Sequence, residues 1–529
     1  MTMRRRGWLA VCAALLLLAA CNEEQPPAAV LRSVTLPEKS VVIPENGSVQ
    51  FAFIVDEPGY QFDLKEEVVL YMATGPKAYP SEVSLVEVLP GTEEGHYIAV
   101  IADNGIRNDY VLSLLIGIRT FGGTFLFSEP FACKGEMGGI EVLAPDTGLP
   151  VIYVDTEGGA AIVSKENFVK ATLSLREPGS RERSEPLSCS IRGRGNTTWS
   201  WPKKPYLIKL DSKASLLGMP AHKRWVLLAN FMDRTMMRNL VAMRVSSMTS
   251  LDWTPRCRSV ELVLNGKIVG NYLLIEQVRV DKNRVPVGDD GWLIESDFHY
   301  DNEVQWIDPH GRCVQMSGGI PFGIKNPDPD DITAEQVAEI KKYISDTAEA
   351  LYGDAFADPL KGYARFIDVD SFVDYWIVFE VMGNHELGNP GSVFYHRKAG
   401  SRLKAGPCWD FDWGVLSYNA NPAAKTGLLN RDACWYRRLF DDPAFRSRVK
   451  TRYQELLPQL QTVPAYIDSL ETVLDASATL NFSKWNPAQD ASMNGGSIIN
   501  GDENLSFHSA VARLKSIYQE RLTVIQANL

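Results

Sequence analysis

Between residue 31 and about residue 135, apolar and polar positions alternate in short runs bounded by turn residues. Runs at 41–43, 49–55, 68–72, 83–88, 97–101, 110–116 and 124–131 predict strands. Turn signals such as Pro44-Glu45-Asn46-Gly47 and Asp103-Asn104-Gly105 separate them. Short strands at this spacing predict an all-β, Ig-like sandwich over 31–135. No catalytic constellation stands out in it, which leaves a spacer or a binding module.

A connection at 134–144 leads to a larger domain, expected over 148–529. Its first half reads as strands at 150–155, 168–175 and 206–210, the last entered through Pro205. The run 225–229 is continuously apolar, the mark of a strand buried on both faces. Strands at 260–264 and 272–276 flank Asn265-Gly266, a strong hairpin signal, and 292–295 continues the sheet. Asp233 stands at an N-cap position ahead of a helix expected over 235–248. Later the period becomes helical. Over 334–352, Val337, Ile340, Ile344, Ala348 and Leu351 share one face. Helices are also predicted at 369–382, 444–456, 463–474 (Pro464 in its first turn) and 507–526. Strands first and helices later predict an α+β fold.

The first thirty residues follow another logic. Arg4, Arg5 and Arg6 precede an apolar run at 8–18 and then Leu18-Ala19-Ala20-Cys21. The run is too short to cross a bilayer and has the flanks of an export signal. Small residues before a cysteine predict a lipoprotein signal peptide at 1–20, cut before a lipidated Cys21. Residues 21–30, with acids and two prolines, form a tether. Asn22-Glu23-Glu24 resembles the surface-export signal of Bacteroidetes lipoproteins. The expected location is the outer membrane or cell surface, attached through lipid on Cys21.

Composition narrows the function classes. The chain has 54 basic and 65 acidic residues, a net charge of −11, and the leader removes three more arginines. That balance argues against a general nucleic-acid binder. Of eight cysteines, Cys133, Cys189, Cys257, Cys313, Cys408 and Cys434 remain beyond the leader and the lipid site. They form no C-x-x-C pair, which argues against structural zinc. One or two disulfides are compatible with export.

Two blocks carry a family resemblance. The first is RGRGNTTW from Arg192, KKPYLIKLD from Lys203, LLGMP from Leu216 and KRWVLLANFMDRTMMRN from Lys223. The second is Gly383-Asn384-His385-Glu386, Val393-Phe394-Tyr395 and Gly406-Pro407-Cys408-Trp409-Asp410-Phe411-Asp412-Trp413-Gly414. The ordered set resembles the CotH kinase family, named for a bacterial spore-coat protein, over about 148–529. The resemblance implies an atypical protein-kinase-like domain, a sheet-rich lobe ahead of a helical lobe. It further implies ATP with Mg²⁺ or Mn²⁺ and phosphoryl transfer to a Ser or Thr hydroxyl of an acceptor protein.

Asp410 and Asp412 stand two apart, on one side of the chain if it is extended, and oxygen ligands suit Mg²⁺ or Mn²⁺. The ordinary reading is a turn in which Asp accepts backbone amides. By resemblance Asp410, with Asp412, is the metal ligand. Phosphoryl transfer needs a carboxylate near the attacking hydroxyl. Glu386 offers one where the family pattern has an aspartate, and Ser392 stands where it has an asparagine, with Asn389 nearby. Lys204 and Lys209 lie on opposite faces of one strand, and one of them, Lys209 by preference, is expected at nucleotide phosphates. Glu276 is its candidate ion-pair partner, and Arg238 is a second phosphate candidate. Each reads equally as a surface charge or a structural ion pair. Arg192-Gly193-Arg194-Gly195-Asn196 resembles a glycine turn over a ligand but is not a Walker sequence. His385 reads first as a structural histidine.

The alternative is a catalytically inactive surface module that binds a glycan, an envelope polymer or a partner protein, with Trp199, Trp201, Trp409 and Trp413 as a sugar platform. A kinase requires Glu386, Asp410 and Lys209 in one cleft, and a binding module does not.

Overall fold

The computed structural model describes residues 33–43, 48–57, 60–74, 77–80, 85–102, 112–120, 124–135, 146–180, 182–299, 302–313, 318–485 and 499–529. The expected leader, Cys21, the tether and the turns at 44–47 and 103–105 lie outside these residues. The chain divides into two compact units, Met1–Pro145 and Asp146–Leu529.

In the smaller unit the described strands are β1 (Val34–Thr35), β2 (Ser40–Ile43), β3 (Ser48–Val55), β4 (Val68–Thr74), β5 (Lys77–Pro80), β6 (Leu85–Pro90), β7 (His96–Ala102), β8 (Leu112–Arg119), β9 (Phe125–Phe127) and β10 (Phe131–Gly135). They form two sheets, ordered β1-β3-β7-β6 and β2-β10-β8-β4-β5, with β9 on β8. Alternation selects the buried side: Phe51, Phe53 and Val55 of β3, and Leu114, Ile116 and Ile118 of β8. Phe51 and Phe131, with ring centroids 4.8 Å apart, link the sheets. The single strand expected at 124–131 is two strands. Pro130 has no N–H for the ladder, and the Ser128 hydroxyl accepts from the Ile116 N–H at 3.0 Å instead.

The larger unit begins with a closed barrel. Its strands are β11 (Val151–Thr156), β12 (Val169–Arg176), β13 (Leu187–Gly193), β14 (Tyr206–Leu216), β15 (Met219–Leu228), β16 (Cys257–Leu264) and β17 (Lys267–Glu276). The order is β11-β12-β13-β14-β15-β17-β16, and a parallel β11–β16 pair completes the ring. Ile208, Trp225, Leu227 and Leu274 fill the barrel, while Leu207, Val226, Leu228 and Ile275 face out into the helical core. The run 225–229 is therefore apolar throughout. Leu264 pairs with Lys267, and Asn265 and Gly266 take φ of 49° and 71°, as a type I′ hairpin turn requires.

A second sheet follows: β18 (Trp292–Ser296), β19 (Gln305–Asp308), β20 (Ile320–Asn326), β21 (Val393–Arg397) and β22 (Lys404–Ala405), ordered β19-β20-β18-β21-β22. The longer helices are α1 (Arg238–Ser246), α2 (Ala334–Tyr352), α3 (Val369–Met382), α4 (Pro443–Leu460), α5 (Val463–Lys484) and α6 (Phe507–Asn528). The unit is α+β, strand-rich first and helical towards its C-terminus, although β21 and β22 come after α3. Apolar on nearly every side, α3 is buried from Ser371 to Met382. Gly383, at φ 60°, ends it in the left-handed conformation and turns the chain towards Glu386.

Two helices differ from expectation. The Asp233 carboxylate accepts from the N–H groups of Thr235 (3.0 Å) and Arg238 (2.9 Å), which holds the intervening residues in turns, so α1 starts at Arg238. Helix α5 continues past 474 to Lys484 because its second half buries polar groups. Ser477 donates to Glu261 of β16 at 2.5 Å and accepts from Asn271 of β17 at 2.9 Å. All six described cysteines are buried and free, so no expected disulfide forms among them.

Candidate functional site

A cleft of about 390 Å³ in the larger unit draws its walls from distant stretches of sequence. Its size falls in the range of roughly 300–1,000 Å³ usual for small-molecule sites. On one wall the chain after β13 passes close to Trp199. A Cβ on Gly193 would enter the Trp199 ring, and one on Gly195, at φ 86°, would strike the Thr198 hydroxyl. Glycine is needed at both places. Between them the Arg194 N–H donates to the Pro205 carbonyl at 3.2 Å, and its guanidinium stands 5.6 Å from the Trp409 ring centroid.

Opposed to Arg194 in charge are the acids. The Asn384 side chain accepts the Glu386 N–H at 2.9 Å and fixes the turn after α3. Asp410 sits at φ 63°, a left-handed conformation that Asp tolerates better than most residues. Its segment is a loop and not a strand, so Asp410 and Asp412 share the cleft through this turn rather than by alternation. The loop is well pinned. The Phe411 N–H donates to Asn239 of α1 at 2.8 Å, and the Gly414 N–H donates to Asn500 at 2.9 Å. Asn421 donates to the carbonyls of Gly383 (3.0 Å) and Gly414 (2.8 Å), tying the two acid-bearing loops together.

These carboxyls are half-buried in the cleft wall, and their affinity for protons rises. Glu386 lies well above the usual carboxylate range, first through desolvation and then through the charges of Asp410, Asp412 and Asp297. Asp412 is also well above it, through desolvation and then Asp410 and Asp233. Desolvation raises Asp410 as well, although Arg194 pulls it down. Glu386 Oε2, Asn389 Oδ1 and His385 Nδ1 are buried without a hydrogen-bond partner among the described residues. Repelling carboxyls beside unpartnered polar atoms make a cleft whose charge a cation would relieve.

The second sheet supplies the remaining charges. Lys325 of β20 pairs with Glu295 of β18 at 3.0 Å, and His299 Nδ1 lies 2.7 Å from Asp297. Trp201 and Trp413 also line the cleft, stacked with centroids 5.6 Å apart and planes 7° apart. Trp409 is buried, and Trp199 is half-buried against the glycine loop.

The expected cations are placed differently. Lys209 is exposed on the outer face of β14, away from the cleft lining. Glu276 is fully buried, and its partners are Arg256 (3.1 Å) and Arg284 (3.9 Å), not Lys209. Arg238 is a buried clamp beneath the acid loop, paired with Asp233 and with Asp502 at 2.5 Å and donating to the Val415 carbonyl at 2.8 Å. Lys204 precedes β14, so strand alternation does not apply to it; it donates to the Trp199 carbonyl at 2.7 Å. Its neighbour Lys203 is buried and donates to the carbonyls of Ala229 (2.9 Å) and Asn271 and to the Asn481 side chain (2.9 Å). Burial lowers Lys203 to about 7, against the charge of Glu261.

Glu386, Asp410, Asp412, Asn389 and Ser392 thus meet in one cleft, with Arg194 and Lys325 where Lys209 was expected. Sequence reasoning missed Asp297 and Lys325. Glu295-Ser296-Asp297 repeats the i, i+2 acid spacing at the end of an apolar strand, a usable signal. Lys325 becomes visible only through the β18–β20 register.

The fold and cleft define a mixed α+β protein with a carboxylate-rich cleft. The family model described as CotH kinase protein matches residues 191–525, more than half of the chain, and the chain belongs to that family. No curated protein matches it.

Proposed function

We propose that the larger unit is a metal-dependent kinase that moves the γ-phosphoryl group of a nucleotide such as ATP to a Ser or Thr hydroxyl of a polypeptide. Convergence supports this reading: Glu386, Asp410 and Asp412 line the same cleft as Arg194 and Lys325. Their oxygen donors suit Mg²⁺ or Mn²⁺, and the mutual repulsion of the carboxyls is what a cation relieves. Among the described residues no three His, Cys, Asp or Glu form a metal cage by themselves; in this reading nucleotide oxygens and water complete the shell. When bound, the cation neutralises and orients the phosphates. In this reading Asp410 and Asp412 hold it, Arg194 and Lys325 meet the phosphates, and Glu386 takes the proton of the acceptor hydroxyl. Lipid on Cys21 would hold the protein at the outer membrane or cell surface, where the acceptor is met.

The Trp201–Trp413 stack favours a second reading, an inactive surface module whose cleft binds a glycan, an envelope polymer or a partner protein. Calorimetric titration with ATP, with and without Mg²⁺ or Mn²⁺, separates the two. Asp410→Asn is the control, since Asn also accepts a positive φ. Metal-dependent binding lost in the variant supports the kinase. Absence of binding at saturating nucleotide sinks it and directs the search to glycans.

A further inference from the structure

The proposed reaction leaves a group of cations on the barrel's outer face unused. Lys209 of β14 pairs directly with Arg224 of β15, and Arg192 of β13 lies on the next strand, opposite Leu207. All three point outward, because the adjacent Ile191, Ile208 and Trp225 fill the barrel. Arg192 and Arg224 stand 5.0 and 5.8 Å from the centroid of one exposed ring, Phe168. Arg279, just beyond β17, lies near enough that its charge acts on both.

Like charges directly across a sheet destabilise it. Among the described residues no hydrogen bond or ion pair joins the side chains of Arg192, Lys209 or Arg224 to an acid, and Arg192 Nε is buried without an acceptor. Asp328, 3.5 Å from Arg279, and Glu166, near Arg192, bound the group at its edges. In a chain of net charge −11 this concentration of positive charge is local. It also reaches the cleft. Arg192 and Arg194 are two residues apart, about 7 Å along an extended chain, and Arg194 lines the cleft.

We propose that this face docks an acidic segment of the acceptor polypeptide, so that a neighbouring hydroxyl enters the cleft past Arg194. The inference rests on the kinase reading. Guanidinium forks bind carboxylates in pairs, and alternate side chains of an extended segment recur every ~7 Å, so successive acids can meet successive cations. Phe168 offers an apolar side-chain contact among them. The bounding acids Glu166 and Asp328 make a strip rather than a broad field, which favours an extended polypeptide over a membrane surface.

The test is fluorescence anisotropy of the full-length protein with a labelled peptide of alternating Glu and Ser, beside its Gln-Ser counterpart and phosphatidylglycerol vesicles. Binding of the Glu-Ser peptide alone is expected, weakened by salt and by about tenfold or more in the Arg192→Gln/Arg224→Gln double variant. Lys209→Gln, an exposed position whose loss leaves the fold intact, should weaken it by a smaller factor. Equal binding of both peptides, unchanged binding in the variants, or binding to vesicles only overturns the proposal. Metal-dependent ATP affinity, measured on the same samples, should not change in the variants. Loss of ATP binding in the unaltered protein counts against the kinase reading, while selective, variant-sensitive peptide binding still supports the docking face.

Discussion

Glu386 is one methylene longer than an aspartate, and its position is set by the Asn384 cap on its N–H and by Gly391, whose substitution would bring a Cβ 3.4 Å from Glu386 Oε1. Shortening it to Asp should withdraw the carboxylate by about an ångström and lower phosphoryl transfer by about a hundredfold. Glu386→Gln should lower it by roughly 10²–10⁴. Metal-dependent ATP affinity should stay within a few-fold in both, as transfer assays and calorimetry on the same samples would reveal. Proton affinity sets a second expectation. Glu386, Asp410 and Asp412 are all raised in the folded protein, which therefore keeps protons that the unfolded chain releases near pH 4, approximately. Their contribution to stability is greatest below that pH and is lost as the pH rises towards the raised values. The metal-free melting temperature should fall between about pH 5 and neutrality. Mg²⁺ should raise it more at neutral pH than at about pH 5. A flat or rising metal-free profile would count against this assignment. These three acids were legible in the sequence because each lies within a dense local motif. The cationic side was not: Lys325 reaches the cleft through pairing of distant strands, and Arg238 was diverted by Asp502, which lies far along the chain.

At the scale of elements, local chemistry carried most of the information. Helices α2 and α3 span the expected 334–352 and 369–382, and their caps fix those ends, the first with a Thr333–Gln336 capping box and the second between Asp368 and Gly383. Asn265-Gly266 marked the β16–β17 hairpin. Asn265 also accepts from the Thr156 N–H at 2.8 Å and its hydroxyl at 3.0 Å, joining the hairpin to β11. Asn265→Ala should therefore cost about 2–4 kcal/mol, from the positive φ together with two lost hydrogen bonds; denaturant titration gives the value, and a loss below about 1 kcal/mol would exclude the double role. What escaped the sequence were elements defined by distant partners. The second half of α5 buries serine and asparagine against β16 and β17, so its hydrophobic period fades where its packing does not. The barrel is closed by a parallel pair between β11 and β16, which no local pattern announces.

For the molecule as a whole, desolvation makes four of the buried cysteines inert. It pushes the thiols of Cys133, Cys189, Cys257 and Cys408 up to about 12. A thiol reagent should leave these four unmodified in the native protein and label them on unfolding, as mass spectrometry of the labelled chain would count. Rapid native labelling of any of them would contradict the packing described. The clamp on the acid loop has a consequence of another kind. Asn500 holds Gly414, and Asp502 holds Arg238, which in turn holds Val415. Asn239 and Asn421 hold the loop from earlier in the chain or close beside it. A chain cut before Asn500 lacks the other two anchors, so trimming about thirty residues from the C-terminus, far from Asp410 and Asp412 in sequence, would loosen the loop that carries them.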